Sequence, residues 1–358
     1  MIHISLYVLL VLVVWVGVTV WEAAGKLPTG ERLARCEQSA HWRDGEFRNE
    51  HATPQLTGGY GMAVTLWKFL FERLPELKPS HALPVVKTRL HALGRDEEVV
   101  VWLGHSTVFV QTGGVRFLFD PVLTCKMPVT LFMRPFVGTD VYTPADIPAV
   151  DYLVITHDHW DHLDCATVKA LRERVGKVVC PLGVGAHFEY WGYDSTRIVD
   201  MDWNDSLPVT EAMTLRCLPS RHFSGRLLGR NKTLWASYLI DGPRRVFVSG
   251  DGGYDDRFAR FGEQYPGIDL AVMENGQYND NWRHIHTLPS QLPQAITELG
   301  ARRVLTYHNS KYALARHPWN EPLDSIWERA QGHPWQLLTP RMGEVVHLSL
   351  DETFGKWW

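Results

Sequence analysis

Four potential metal ligands fall within six residues, His157, His159, Asp161 and His162, directly after an apolar segment, Tyr152 to Ile155, that reads as a strand. In a loop leaving a strand, alternate side chains point the same way. His157 and His159 can therefore share one ion, while Asp161 and His162 reach a neighbouring point, an arrangement that suits two ions a few ångströms apart. Imidazole and carboxylate donors without a thiolate suit two Zn2+ ions, and Fe or Mn are compatible with the same set. A histidine standing alone is usually a surface or core residue, but that reading does not account for four donors at this spacing.

A two-ion site needs further donors, and these restrict the fold because they must arrive at the same edge. His222 follows TLRCLPSR, Asp251 follows RVFVSG and His308 follows RRVLTY, so each stands at the end of an apolar strand. Around them the chain alternates strands with helices. EVVVWLGHSTVFVQTGGVRFLFDPV reads as two or three strands with a Thr112-Gly113-Gly114 turn, followed by helix-like ATVKALRERVG and GVGAHFEYWG. A second half repeats the scheme: the hairpin WASYLIDGPRRVFVSGDGGY, the strand IDLAVMENG, a helix from Pro289 to Leu299 and the strand RRVLTYHN. Two such halves predict an α/β fold with sheets packed together and helices outside. Residues 96–358 are expected to form one catalytic domain. Residues 25–95, with a helix over Val64 to Leu77, are expected to be a lead-in packed on it.

Composition excludes several classes. Thirty-six basic and 40 acidic residues in 358, net charge -4, with no long run of either sign, leave no footprint for nucleic acid. Cys36, Cys125, Cys165, Cys180 and Cys217 are widely spaced and odd in number, so buried free thiols are expected rather than disulfides. No GxSxG is present, so a serine nucleophile has no support. From Ile4 to Trp21 the sequence carries no charge and at about 1.5 Å per residue approaches the roughly 30 Å of a bilayer core. Residues 1–24 are accordingly expected to be a transmembrane anchor. Lys26, Arg32 and Arg35 follow the run and mildly favour a cytoplasmic body. A single-pass membrane localisation follows, with a Trp-rich chain ending Lys356-Trp357-Trp358 at headgroup level and a membrane lipid as partner.

HxHxDH followed by a later His, an SGD-type Asp and a final His resembles the metallo-β-lactamase superfamily, over roughly Glu98 to Leu348. WLGHSTVFV, FLFDPV, THDHWDHLD, PSRHFSGR, SGDGGY and HNSKYALARHPWNEP resemble the branch containing N-acylphosphatidylethanolamine-hydrolysing phospholipase D and its bacterial relatives. The resemblance implies an αββα sandwich of the metallo-β-lactamase type. It implies that His157, His159 and His222 hold one zinc, that Asp161, His162 and His308 hold the other, and that Asp251 bridges them. It places Asp120, in the FDP turn, near a bridging water that it would orient or deprotonate, and a histidine near the substrate phosphate. His286 is the match for the latter, with His284 as competitor, because the segment ENGQYNDNWRHIH departs from the usual wording. The expected activity is hydrolysis of a glycerophospholipid phosphodiester by a hydroxide shared between the ions. The same ligands also serve lactones, thioesters and other phosphodiesters.

Overall fold

The computed structural model describes residues 2–72, 74–124, 133–227 and 229–358. The N-terminal part consists of α1 (Ile2–Ala24), α2 (Gly30–Gln38), a small hairpin of β1 (Trp42–Arg43) and β2 (Glu46–Phe47), and α3 (Met62–Phe71). The helix expected over Val64–Leu77 stops at Phe71, just before Pro75, whose ring and missing N–H would break a longer one.

The first half of the body runs β3 (Val99–Gly104), β4 (Thr107–Thr112), β5 (Val115–Phe119), β6 (Val150–Val154), α4 (Cys165–Leu171), β7 (Val175–Pro181), α5 (Gly185–Tyr190) and β8 (Ile198–Met201). The second runs β9 (Ser206–Thr210), β10 (Met213–Pro219), β11 (Ala236–Asp241), β12 (Val246–Val248), α6 (Arg257–Gln264), β13 (Leu270–Glu274), α7 (Leu292–Leu299), β14 (Arg303–Tyr307), α8 (Glu321–Arg329) and β15 (Gln336–Leu338). The last strand, β16 (Val345–His347), returns to pair with β3. Each half makes a seven-stranded sheet, in the orders β16-β3-β4-β5-β6-β7-β8 and β15-β14-β13-β12-β11-β10-β9. Both begin as antiparallel meanders and continue parallel, from β5 to β8 and from β12 to β15.

Strand after strand is buried on both faces, which explains apolar runs in place of strict alternation. Phe117, Phe119, Val108, Val110 and Val154 meet Tyr238, Ile240, Val248, Val272 and Tyr307 between the sheets. Their neighbours Phe109, Leu118, Leu153 and Ile155 face outward under Val168, Leu171 and Phe188 of α4 and α5. On the far side Leu239, Phe247, Ala271 and Val304 pack under Phe258, Ile296 and Ile326. This is the expected αββα sandwich. Cys36, Cys165, Cys180 and Cys217 are buried free thiols, and Cys125 lies outside the described residues.

The N-terminal anchor is a correction. Among the described residues no helix is long and apolar enough to cross a membrane. The helix end is also tied to the body. Trp191 Nε1 donates to the Glu22 carbonyl at 2.8 Å, Arg226 Nη2 donates to that of Ala23 at 2.8 Å, and Lys169 pairs with Glu22. A window that counts apolar residues does not register such docking, and the single-pass membrane localisation drawn from it falls. The terminal tryptophans are likewise engaged: Trp358 Nε1 donates to Asp324 Oδ1 on α8 at 2.9 Å, and Trp357 packs against the inter-sheet core.

Candidate metal centre

The donors gather where strands of both sheets end. Past β6, the loop is closed by His162 and Leu163 N–H groups donating to the His159 carbonyl (3.0 and 2.8 Å), and Asp164 then caps α4 through the N–H groups of Ala166 and Thr167. Asp158, between the first two ligands, points the other way and accepts from Gly225 N–H (2.8 Å), Thr233 Oγ1 (2.8 Å) and His187 Nε2 (3.3 Å). His222 follows β10, Asp251 follows β12 and His308 follows β14. Gly250, in the turn that presents Asp251, has φ +59°, and a Cβ there would lie 2.7 Å from the Ala236 carbonyl, so glycine is required.

The structure brings all seven expected ligands together. His159 Nδ1 lies 2.9 Å from His157 Nε2 and 3.2 Å from His222 Nε2. His308 Nε2 lies 3.2 Å from Asp161 Oδ2 and 3.2 Å from Asp251 Oδ2, and His162 Nε2 is 3.2 Å from Asp251 Oδ1. Asp251 thus stands between the two groups, with Oδ2 also 3.9 Å from His157 Nε2 and 3.8 Å from His222 Nε2.

Proton positions decide whether this cluster suits metal. His157 Nδ1 faces the Thr156 hydroxyl (3.0 Å), His222 Nδ1 the Ile285 carbonyl (2.8 Å) and His162 Nδ1 the Asp120 carboxylate (2.7 Å). The neutral rings of His157 and His222 therefore carry the proton on Nδ1 and turn a bare Nε2 lone pair into the cluster, while His162, whose carboxylate neighbours favour its charged form, holds its Nε2 3.2 Å from Asp251 Oδ1. Lone pairs converging in a buried space repel one another and lose their hydration, a cost that a cation between them removes. The donor set fits metal ions.

Charge follows the same division. Burial drives the pKa of His157 and of His222 well below the ordinary histidine value. Burial also opposes charge on His162, but Asp251, Asp161 and Asp120 outweigh it and hold its pKa well above. Burial opposes the carboxylates of Asp161 and Asp251 too, and there His162 and its neighbours prevail, holding both well below the usual range.

Asp120 is at the site but behind it. It is fully buried, with Oδ1 accepting from Thr156 N–H (2.7 Å) and Oδ2 from Thr156 Oγ1 (2.5 Å) and His162 Nδ1 (2.7 Å). Its carboxylate thus faces the His162 imidazole and the Thr156 hydroxyl and N–H. His286, not His284, lines the pocket over the donors. Its Nδ1 lies 2.5 Å from Glu274 Oε1, and its ring stacks on His308 at 5.6 Å between centroids. Burial lowers the pKa of His286, and Glu274 more than reverses this. Glu274 was not singled out in the sequence. It ends β13, the same strand-end signal that marked the other donors. The pocket is a cavity of about 290 Å³ with Phe223, Trp282, Ile285 and Leu314 as walls and Gln55, Leu56 and Thr65 of the N-terminal part at its rim. A larger cavity of about 430 Å³ at the foot of α1 lies behind the loop, where Asp158 and His187 reach it and none of the seven ligands does.

Known proteins share stretches of this sequence and this fold. The beta-lactamase superfamily domain matches residues 115–309, and the chain belongs to that superfamily. An uncharacterized protein of Mycobacterium tuberculosis (strain ATCC 25618 / H37Rv) is 35% identical over 333 residues, 90% of this chain and 88% of that one. N-acyl-phosphatidylethanolamine-hydrolyzing phospholipase D 1 of Caenorhabditis elegans is 30% identical over 271 residues, 69% of this chain and 75% of that one. Among solved structures, CmlA, a diiron beta-hydroxylase from Streptomyces venezuelae, shares the fold with a TM-score of 0.54 at 21% identity, covering 70% of this chain and 54% of that one. The fold and the His/Asp cluster define a metal-dependent hydrolase of the metallo-β-lactamase type.

Proposed function

We propose that this chain hydrolyses a phosphodiester bond of a glycerophospholipid, in the manner of an N-acylphosphatidylethanolamine phospholipase D, with two zinc ions as cofactor. The observation that carries the reading is the convergence of seven donors beneath a pocket with apolar walls. The similarity to the Caenorhabditis elegans enzyme supports the substrate class. His157, His159 and His222 would hold one ion, Asp161, His162 and His308 the other, and Asp251 both. Bound ions supply a lowered water pKa and charge on the phosphoryl oxygens.

The remaining work falls to the chain. Asp120 fixes the His162 ring and its tautomer, a positioning part in place of the direct part expected from the sequence. Glu274 accepts the Nδ1 proton of His286, so Nε2 is the nitrogen that can meet a substrate, and it donates to a phosphoryl oxygen as negative charge develops there. Phe223, Trp282, Ile285 and Leu314 exclude water and lie against acyl or glycerol carbons. The donor chemistry also accommodates iron or manganese, and the fold's diiron relative makes the metal a question for analysis.

The test combines metal content per chain with release of phosphatidic acid from N-acylphosphatidylethanolamine and from phosphatidylethanolamine, with Asp251→Ala as control. About two zinc ions and lipid cleavage lost in the variant support the reading. Two ions without cleavage of either lipid move the chain to lactones, thioesters or other phosphodiesters; iron in place of zinc overturns the cofactor.

A further inference from the structure

The turn between β3 and β4 reaches into the second half of the metal site. Gly104 pairs with Thr107 across this turn, leaving His105 and Ser106 as its two loop residues, and all four are buried. His105 has φ +48°, in the left-handed region. Two-residue hairpin turns with positive φ are the province of Asn and Gly, so a histidine here is held by something its imidazole does.

That imidazole lies with Nε2 2.9 Å from Asp161 Oδ2, the oxygen that also faces His308. An ionised carboxylate only accepts, so Nε2 carries the proton and donates. The ring packs against those of His308 (4.3 Å between centroids) and Tyr312 (5.0 Å). The backbone adds to the grip: the His105 carbonyl accepts from His308 N–H at 3.0 Å and from Trp102 Nε1 at 2.9 Å. Ser106 Oγ donates to the Asp161 carbonyl, and Thr107 Oγ1 donates to the Asp120 carbonyl at 3.0 Å. Three consecutive residues thus hold Asp161 by side chain and backbone, His308 by its N–H and Asp120 by its carbonyl. His162 and His308 both approach Asp251 at 3.2 Å, whereas His105 approaches the cluster through Asp161.

We propose that His105 is a positioning residue for the second metal ion, its Nε2–H fixing the rotamer of the Asp161 carboxylate that binds the ion. This rests on the reading above that Asp161 is a ligand.

The experiment measures Zn2+ stoichiometry and affinity, and the visible spectrum of the Co2+ form, in the full chain and in His105→Ala, His105→Gln and Asp161→Asn. Far-UV circular dichroism serves as the check of folding. Glutamine can place an amide N–H where the imidazole Nε2–H lies, and alanine cannot. In His105→Ala the first ion stays tight, the second binds about 10- to 100-fold more weakly, as loss of a partner behind a ligand usually costs. The Co2+ spectrum changes in the direction seen with Asp161→Asn, and His105→Gln restores both affinity and spectrum. If His105→Ala takes up both ions with wild-type affinity, the proposal is wrong. It is equally wrong if His105→Gln is folded yet fails as badly as alanine, because His105 would then be a ligand itself or a filler of space. Should His105→Ala not fold, the glutamine variant alone decides. If the wild type takes up fewer than two ions while folded, the two-ion reading has failed, a result distinct from a wild type that binds two ions and an alanine variant that does the same.

Discussion

His157, His159 and His222 make one half of the metal site from three imidazoles, and the groups behind them are neutral: the Thr156 hydroxyl behind His157 and the Ile285 carbonyl behind His222. Asp161, His162 and His308 would make the other half, where a carboxylate, Asp120, stands behind His162 and an imidazole that burial keeps neutral, His105, its pKa lowered to about 3, stands behind Asp161. A neutral partner orients a ring without altering its charge. An ionisable one also sets the charge, and when buried it becomes a liability as soon as its own partner is removed. The second half is therefore expected to be the more sensitive of the two to substitution and the one whose affinity the protein tunes.

The largest effect is expected from Asp251→Ala, which removes the carboxylate between the halves. Both ions should be lost and activity should fall to background; metal analysis showing one ion still fully bound would mean that the halves are independent sites. Next comes His286→Ala, at a ring that stacks on His308 but is not among the seven proposed ligands. It should lower kcat by about 10²- to 10⁴-fold with metal content unchanged, and Glu274→Gln should act in the same direction but less. Loss of metal in His286→Ala would turn a substrate group into a ligand.

Asp120→Asn separates the halves directly. Asparagine keeps the shape but not the charge opposite His162 Nδ1, so the second ion should bind about 10- to 100-fold more weakly while the first is unaffected. Equal weakening of both ions would erase the distinction between neutral and ionisable backing.

The metal-free protein offers a test by pH. His157, His159 and His222 have folded pKa values depressed by burial below 6.5, so the unfolded chain binds protons there that the folded one does not. Their contribution is present above 6.5 and lost as the pH falls below it. His162 is the opposite: its folded value is raised, so its contribution is present below 6.5 and lost as pH rises through the folded value. With three rings against one, the chelated protein should melt at lower temperature as the pH is lowered through 6.5, and His162→Gln should steepen that fall. A melting temperature that rises on acidification would show that the second half dominates the charge balance.

How much of this was legible beforehand depended on whether a residue's part is fixed by chain direction. The gathering of the seven proposed ligands was legible because each follows an apolar strand, and strands of a layered sheet end at a common edge. Asp120 came from the resemblance of its FDP turn, and the direction its carboxylate takes, toward His162 forty-two residues further on, is not written in that turn. Glu274 and His286 are joined across a loop with no period of its own, and His105 stands in a hairpin turn, where a sequence signals only the bend. The apolar N-terminal run was legible as a helix, Ile2–Ala24, but not in what its end docks against. Residues contributed by Arg226, Trp191 and Lys169 decide that, and they lie more than a hundred positions away.

That docking supports the loop that carries His157 and His159 of the first half and Asp161 and His162 of the second. Arg226 Nη1 donates to the carbonyls of Asp158 and Leu163 at 2.7 and 2.8 Å, at either side of the ligand loop, while Nη2 holds Ala23 of α1. Its guanidinium also lies 3.9 Å from the Trp160 ring centroid. The Glu22–Lys169 pair at the same helix end is different in kind, with side chains 49% and 42% exposed. Solvent screens such a pair, so Glu22→Ala should change stability by less than about 1 kcal/mol and leave the affinity for the first ion unchanged. Denaturant melts and zinc titrations of the variant check both. A clear loss of first-ion affinity in Glu22→Ala would make the helix end part of the metal site, and the two halves would then differ in the reach of their support through the chain as well as in its charge.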